Sequence, residues 1–158
     1  MKKPLLIPFL FIVTAVLSFA VGIAVERSGQ PATLESCIIR KSDAKKSTGA
    51  WGSIHIYTPD STVTTGTESM LTAELEFLPG KQLQPPHQHA NEEFQYVIAG
   101  TGTWFLNGKE IPLQTGDLMY AKPGDPHGIT NTSTEPLRFF VMKWINRRAD
   151  AYAPKPVQ

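Results

Sequence analysis

Three of the chain's four histidines have the types and spacing that point most directly to chemistry. His87 and His89 are two positions apart, so on an extended segment both imidazoles leave the same face. Glu93 has the same parity and joins them if the register is kept. His127 lies far along the chain, but an antiparallel barrel returns a later strand to lie opposite an earlier one. The predicted metal ligands are therefore His87, His89, Glu93 and His127.

This set of ligands favours a transition metal. Neutral imidazoles and one carboxylate suit divalent iron, manganese, nickel, copper or zinc, whereas calcium and magnesium prefer cages of oxygen ligands. If all four residues bind, two octahedral positions stay open for water, dioxygen or two substrate oxygens, which the metal would polarise as a Lewis acid. Glu92 should face away from Glu93 and is the alternative carboxylate ligand. The fourth histidine, His55, has no other candidate metal ligand at a comparable spacing.

Parity also selects residues around the predicted metal. If Glu93 points inward, Gln95 and Val97 should do so as well, and Gln95 becomes a candidate hydrogen-bond donor to a ligand or substrate. The alternative is that Gln95 only lines a wet cavity. Residues 137–145 alternate so that one face is largely apolar. That face either walls a small-molecule cavity or packs in the core.

Two longer patterns resemble the cupin superfamily. Residues 80–100 read Gly-x6-His-x-His-x3-Glu-x6-Gly, which is similar to the first cupin motif. Residues 116–131 resemble the second motif, whose characteristic positions are here Gly116, Gly124, His127 and Asn131. One residue more than the family spacing precedes His87, and Lys122 stands where the family usually has proline. Neither departure changes a ligand.

The resemblance implies an all-β fold, an antiparallel, jelly-roll-like barrel of about six to eight strands. It implies that the four predicted ligands point into the barrel, and that the protein is often dimeric. The implied function is that of a metal-dependent oxidoreductase of the dioxygenase type acting on a small molecule. In some family members the residue at the position of Glu93 leaves the metal and acts as a base, so Glu93 is a candidate catalytic residue. Gln95, which parity places beside it, is the second candidate. Relatives also include metal-dependent isomerases, lyases and decarboxylases, and a non-catalytic barrel that binds a sugar or another small ligand is a further alternative.

The elements that must position these residues are short strands. After Trp51, runs rich in β-branched and aromatic residues alternate with turn dipeptides. Asn107-Gly108 is the strongest hairpin signal, because both central residues of such a turn need positive φ. The short Glu110-Ile111 run follows that turn. The predicted strands cover residues 53–57, 70–78, 93–99, 102–106, 117–121, 128–131 and 137–145.

Size and composition exclude several classes of protein. A chain of 158 residues fits one domain, and a net charge of +1 provides no basic field for nucleic acid. Cys37 is the only cysteine, so neither an internal disulfide nor a cysteine-based zinc site is expected. The sequence has no nucleotide-binding glycine loop and no Gly-x-Ser-x-Gly elbow. The expected partners are a small molecule and a second copy of the chain.

The amino end carries a targeting signal. Lys2 and Lys3 precede an uncharged, mostly apolar run over residues 4–25, which reaches the length of about 20 residues needed to cross a bilayer. This predicts an N-terminal hydrophobic helix in residues 1–27, as a signal peptide or a membrane anchor, with the barrel outside the cytoplasm. A polar linker is expected over 28–50, the cupin barrel over 51–146 and a C-terminal tail over 147–158.

Overall fold

A computed structural model describes residues 32–147. The predicted N-terminal hydrophobic helix and residues 148–158 of the predicted tail lie outside this range. Between residues 32 and 147 there is no helix long and apolar enough to cross a membrane.

The described residues form two antiparallel sheets. Their strands are β1 Lys45–Gly49, β2 Gly52–Thr62, β3 Thr67–Phe77, β4 Glu92–Ala99, β5 Thr101–Leu106, β6 Lys109–Gln114, β7 Leu118–Ala121, β8 His127–Thr130 and β9 Leu137–Asn146. One sheet has six strands in the order β1-β2-β3-β9-β4-β7, and the other has three in the order β6-β5-β8. The prediction of an all-β antiparallel fold is confirmed for this part of the chain.

All seven predicted strands are present, with ends that differ by a few residues. The largest extension is in β2, which continues through two register shifts to Thr62. The sheet also begins earlier than the hydrophobic pattern indicates, because β1 lies inside the segment expected to be a polar linker. All five β1 residues are exposed, yet they pair with β2 from Lys45↔Ile56 to Gly49↔Gly52. An edge strand held only by backbone hydrogen bonds has no apolar alternation by which the sequence could reveal it.

The Asn107-Gly108 hairpin is confirmed. Its two residues have φ values of 49° and 82°, and they join β5 to β6. Asn107 also donates its backbone N–H to the carbonyl of Pro126 at 2.9 Å. The turn is thereby attached to the loop that leads into β8, where His127 lies.

The core contains side chains from both sheets. Alternate residues of β3, β4 and β9 point inward, as their burial patterns show. The buried apolar residues are Ala73, Leu75, Phe77, Val97, Trp104, Leu113, Met119, Ala121, Ile129, Leu137, Phe139 and Val141. On β4 the same inward face carries Glu93 and Gln95, which are also buried. The inward orientation expected for Gln95 and Val97 is therefore confirmed.

Asn131, the last residue of the second motif, is a structural side chain. It is fully buried, and its amide donates to the carbonyls of Phe77 and Glu135 at 2.9 and 2.8 Å. Its Oδ1 accepts hydrogen bonds from the backbone N–H and the hydroxyl of Ser133. These bonds fix the connection between β8 and β9.

We expect Asn131→Ala to lower the free energy of unfolding by about 1–3 kcal/mol, since buried polar groups would lose their partners. Urea unfolding would measure the change. The matched control is Asn146→Ala, because Asn146 is an exposed asparagine at the end of β9. An equal loss in the two variants would contradict the structural role of Asn131.

Candidate metal centre

His127 is the buried member of the histidine group. It opens β8, and its Nδ1 lies 2.8 Å from the backbone carbonyl of Asp125. A carbonyl only accepts, so Nδ1 carries the hydrogen and the neutral ring keeps its lone pair on Nε2. That Nε2 is buried and has no hydrogen-bond partner among residues 32–147. Its free lone pair is what a metal ligand requires.

Backbone hydrogen bonds place His87 and His89 beside it. Both lie in the loop between β3 and β4, and His87 exchanges two backbone hydrogen bonds of 2.9 Å with His127. The N–H of Gly124 donates to the carbonyl of His89, also at 2.9 Å. Gly124 has a φ of 83°, which suits glycine in this tight turn. The two sequence motifs are thus joined through their backbones.

The three imidazoles converge. Each offers one nitrogen, and the three nitrogens lie within 4.8 Å of one another. Glu93 reaches the same point from β4, with Oε2 3.1 Å from Nε2 of His89 and Oε1 3.6 Å from Nε2 of His127. The structure therefore brings together all four side chains that the sequence singled out, from one loop and two strands.

The electrostatics of the group favour the protonation states that metal binding needs at Glu93 and His87, whereas Glu93 favours the protonated form of His127. Burial raises the pKa of Glu93, but the close approach and charge of His127, 3.6 Å away, and the charge and hydrogen bond of His89 outweigh this and hold the pKa below its usual value. Burial and the neighbouring histidines lower the pKa of His87. The Glu93 carboxylate raises the pKa of His127 against the opposing effect of burial. Near neutral pH, Glu93 is consequently ionised and His87 is neutral.

Gln95 supports Glu93, whereas Glu92 lies elsewhere. The amide of Gln95 donates a hydrogen bond to Oε1 of Glu93. The other Gln95 atom, Oε1, is buried and has no hydrogen-bond partner among the described residues. Glu92 faces the opposite side of β4, where it accepts hydrogen bonds from Tyr120 and Asn146. The geometry thus gives no support to Glu92 as the alternative ligand.

A cavity of about 150 Å³ opens beside this group. One ordered water needs about 10–15 Å³ of such space, so the cavity has room for about ten waters or a small organic molecule. Its polar side chains are Gln84, His87, Glu93, Gln95 and Lys143. Most of the remaining wall is apolar and includes Leu71, Leu75, Phe77, Ile129, Phe139 and Val141. The inward face of β9 therefore both packs in the core and walls a cavity.

The sequence interpretation missed two residues in this wall. Gln84 places its amide nitrogen 2.8 Å from Nε2 of His87, and Lys143 continues the inward face of β9 beyond Val141. Parity places Lys143 on the same face as Val141, but the sequence interpretation did not say which face of this strand walls a cavity. No periodic signal exists for Gln84, because it lies in an irregular loop.

The residues present fit a divalent transition metal. Two ligands at right angles, each about 2.1 Å from one ion, are about 3 Å apart, and Nε2 of His89 and Oε2 of Glu93 are separated by 3.1 Å. The unpartnered Nε2 of His127 supplies a third donor. Gln84 is exposed, so its amide can withdraw from the fourth donor, Nε2 of His87. Three imidazoles and a carboxylate do not by themselves choose the metal.

Comparison with known proteins agrees with this architecture. Residues 73–143 match the cupin domain family. The chain is 32% identical over 76 residues to an oxalate-binding protein of Thermotoga maritima, an alignment covering 48% of this chain and 62% of that protein. It is 28% identical over 81 residues to a gentisate 1,2-dioxygenase of Streptomyces, covering 51% of this chain and 21% of the enzyme. Less than two thirds of either relative is therefore matched.

Solved structures show the same fold. The crystal structure of a Thermotoga maritima protein, described as a predicted oxalate decarboxylase, superposes with a TM-score of 0.55 at 21% identity. The match covers 69% of this chain and 99% of that one. Fold and site together define a double-sheet β-barrel protein with a histidine cluster against its inner cavity. Residues 73–143 form the part of the chain that matches the cupin domain family.

Proposed function

We propose that this chain is a metal-dependent cupin enzyme of the dioxygenase type that acts on a small molecule. The observation that carries the proposal is the convergence of three imidazole nitrogens within 4.8 Å, with Glu93 in contact, beside a cavity that His87 and Glu93 line. The proposed ligands are His87, His89, Glu93 and His127. Similarity to a gentisate 1,2-dioxygenase supports the dioxygenase type.

A divalent transition metal in this position would supply a Lewis acid and, if it is redox-active, a centre for dioxygen chemistry. The chain's own residues prepare the site for it. The carbonyl of Asp125 fixes the tautomer of His127 and aims its Nε2 into the group. Gln95 holds one oxygen of Glu93 and is the proposed positioning residue for that carboxylate. The apolar wall excludes bulk water from a bound substrate.

Glu93 is also the proposed base. Its contacts with His89 and His127 are made through different oxygens, so one oxygen can stay bound while the other accepts a proton from the substrate. Its lowered pKa makes it a weak base in the free chain. Protonation therefore requires that at least one histidine contact be given up, as would happen if Glu93 left the metal.

The second candidate is a metal-dependent decarboxylase or a binder that does not consume dioxygen. It is favoured by similarity to the oxalate-binding protein, which has the higher identity of the two curated relatives, 32% against 28%, and is matched over more of its own length, 62% against 21%. An isomerase or lyase would use the same residues without dioxygen. The two candidates differ in one measurable quantity, the dioxygen taken up for each substrate molecule consumed.

The deciding experiment loads the full chain with iron, manganese, nickel, copper or zinc in turn and measures dioxygen uptake with a panel of small dihydroxy and dicarboxylic acids. We expect uptake with at least one redox-active metal, one dioxygen per substrate, and loss of turnover after chelation. Carbon dioxide release without dioxygen uptake would contradict the proposed dioxygenase activity and support the decarboxylase. Binding without turnover in every metal form would leave a binding protein.

A further inference from the structure

One lysine lines the cavity beside the histidine group. Lys143 lies on β9 with the inward parity of Phe139 and Val141, and it stands directly opposite Glu93 in the β4–β9 register. Side chains of directly opposed residues in an antiparallel pair leave the same face, with Cβ atoms about 4.5–5.5 Å apart. Lys143 is thus the neighbour of the carboxylate in the cluster, and it is the one lysine or arginine in this wall among residues 32–147.

The ammonium group of Lys143 is only weakly engaged. Its opposite residue, Glu93, is already bound by His89 and Gln95. The ion pair of Lys143 is made instead with Asp60, at 3.4 Å between Nζ and Oδ1. The Asp60 side chain is 59% exposed, whereas that of Lys143 is 23% exposed, so water competes strongly for the aspartate. An ammonium has three N–H donors, and this contact occupies one of them.

We propose that Lys143 binds the carboxylate of the substrate, and that the substrate is a small organic acid. This inference rests on the proposed function, because it adds the substrate class to the same cavity. A carboxylate that replaces Asp60 in contact with Lys143 would form charge-assisted hydrogen bonds beside the largely apolar wall of the cavity, where they are stronger than at a fully exposed surface. The rest of the molecule would then extend along the wall toward His87 and Glu93.

Gln95 supplies an independent observation on the same ligand. Its Oε1 is a buried acceptor without a hydrogen-bond partner in the described residues, and Gln95 lines the cavity. A hydroxyl group of the substrate would satisfy it, since an unpaired buried acceptor is costly. The cavity therefore offers a cation for a carboxylate and an acceptor for a hydroxyl. A small hydroxy acid would satisfy both groups, and a cavity of about 150 Å³ admits one.

Asp60 gives the proposal a variant that acts in the opposite direction. Because Asp60 competes with the substrate for the ammonium of Lys143, Asp60→Asn should strengthen carboxylate binding. Lys143→Ala should weaken it about 10- to 100-fold, which is the usual effect of removing a hydrogen bond to a charged group. Lys143→Arg keeps the charge and should recover part of the loss. A role in packing alone would not produce opposite effects at Lys143 and Asp60.

The test is isothermal titration of the full chain with oxalate, with gentisate and with oxamide, the uncharged diamide analogue of oxalate. Each is titrated into the metal-loaded protein freed of excess metal and into the chelator-treated protein. The variants are Lys143→Ala, Lys143→Arg and Asp60→Asn, with Lys122→Ala as the control, since Lys122 is an exposed lysine outside the cavity wall. Metal content is measured for every sample.

We expect a carboxylate to bind the wild-type chain. Its affinity should fall in Lys143→Ala but not in the control Lys122→Ala. The affinity for oxamide should not differ between these two variants. Metal content should be the same in all of them. A carboxylate affinity within twofold of wild type in Lys143→Ala, or no binding of either acid to any form of the wild-type chain, would overturn the inference. Absence of metal from the wild-type chain would instead overturn the proposed function, while the Lys143 contrast in the metal-free titrations would still decide the carboxylate site.

Discussion

Replacing His127 with alanine should reduce the bound metal from about one equivalent to nearly none. His127 is the fully buried member of the cluster, and its tautomer is set by the carbonyl of Asp125. Without it, His89 and Glu93 would keep their mutual contact but lose a neighbouring ligand whose Nε2 lies 3.6 Å from Oε1 of Glu93. Loss of one buried protein ligand from a four-residue site removes a large share of the binding free energy. Elemental analysis of the purified full chain would measure this.

The same measurement needs controls for folding and for adventitious binding. His55→Ala removes a histidine of β2 that is not in the cluster, and this variant should still bind about one equivalent of metal. His87→Ala provides a second test, because His87 is less buried than His127 and its loss disturbs the core less. Far-ultraviolet circular dichroism would establish that each variant is folded. Full retention of metal by folded His127→Ala and His87→Ala would refute the proposed ligand set.

The largest effect on stability is expected at Leu137, the first residue of β9. Its side chain is 0% exposed and is among the largest fully buried side chains of the described residues. It packs on Gly102 of β5 so closely that a Cβ added to Gly102 would lie 2.8 Å from Cδ2 of the leucine. Leu137 therefore joins the two sheets. Leu137→Ala should lower the free energy of unfolding by about 2–5 kcal/mol.

Urea unfolding would measure this loss, and Leu118→Ala provides the matched control. Leu118 is 64% exposed on β7, so the same truncation there leaves no internal cavity. We expect a change within about 0.5 kcal/mol for the control. A similar loss at the two leucines would show that Leu137 does not join the sheets in the way the packing indicates.

Much of the fold was predictable because its local signals agree. Short β-branched runs, the Asn107-Gly108 turn and the absence of helical periodicity predicted all seven strands that the structure contains at those places. The edge strand β1 was not predictable, since its residues are exposed and pair only through their backbones. The N-terminal signal peptide or anchor, the location outside the cytoplasm and the second copy of the chain stay predictions from the sequence.

The candidate site was predictable for a related reason. Side chains alternate across a strand, so parity alone placed Glu93, Gln95 and Val97 on one inward face, and the structure has them there. The spacing of the two motifs likewise selected the histidines that the fold brings together. What the sequence determined is therefore the set of elements and the face that each residue occupies, because both follow from the two-residue repeat of a strand.

Only the tertiary structure decided which faces meet. The backbone pairing of His87 with His127 joins segments far apart in the chain, and the position of Lys143 opposite Glu93 follows from β9 lying between β3 and β4. Strand order and register depend on how the whole core packs, not on any local run of residues. For that reason a lysine that looked like the end of an apolar face became, among residues 32–147, the one lysine or arginine in the wall of the cavity that Glu93 also lines.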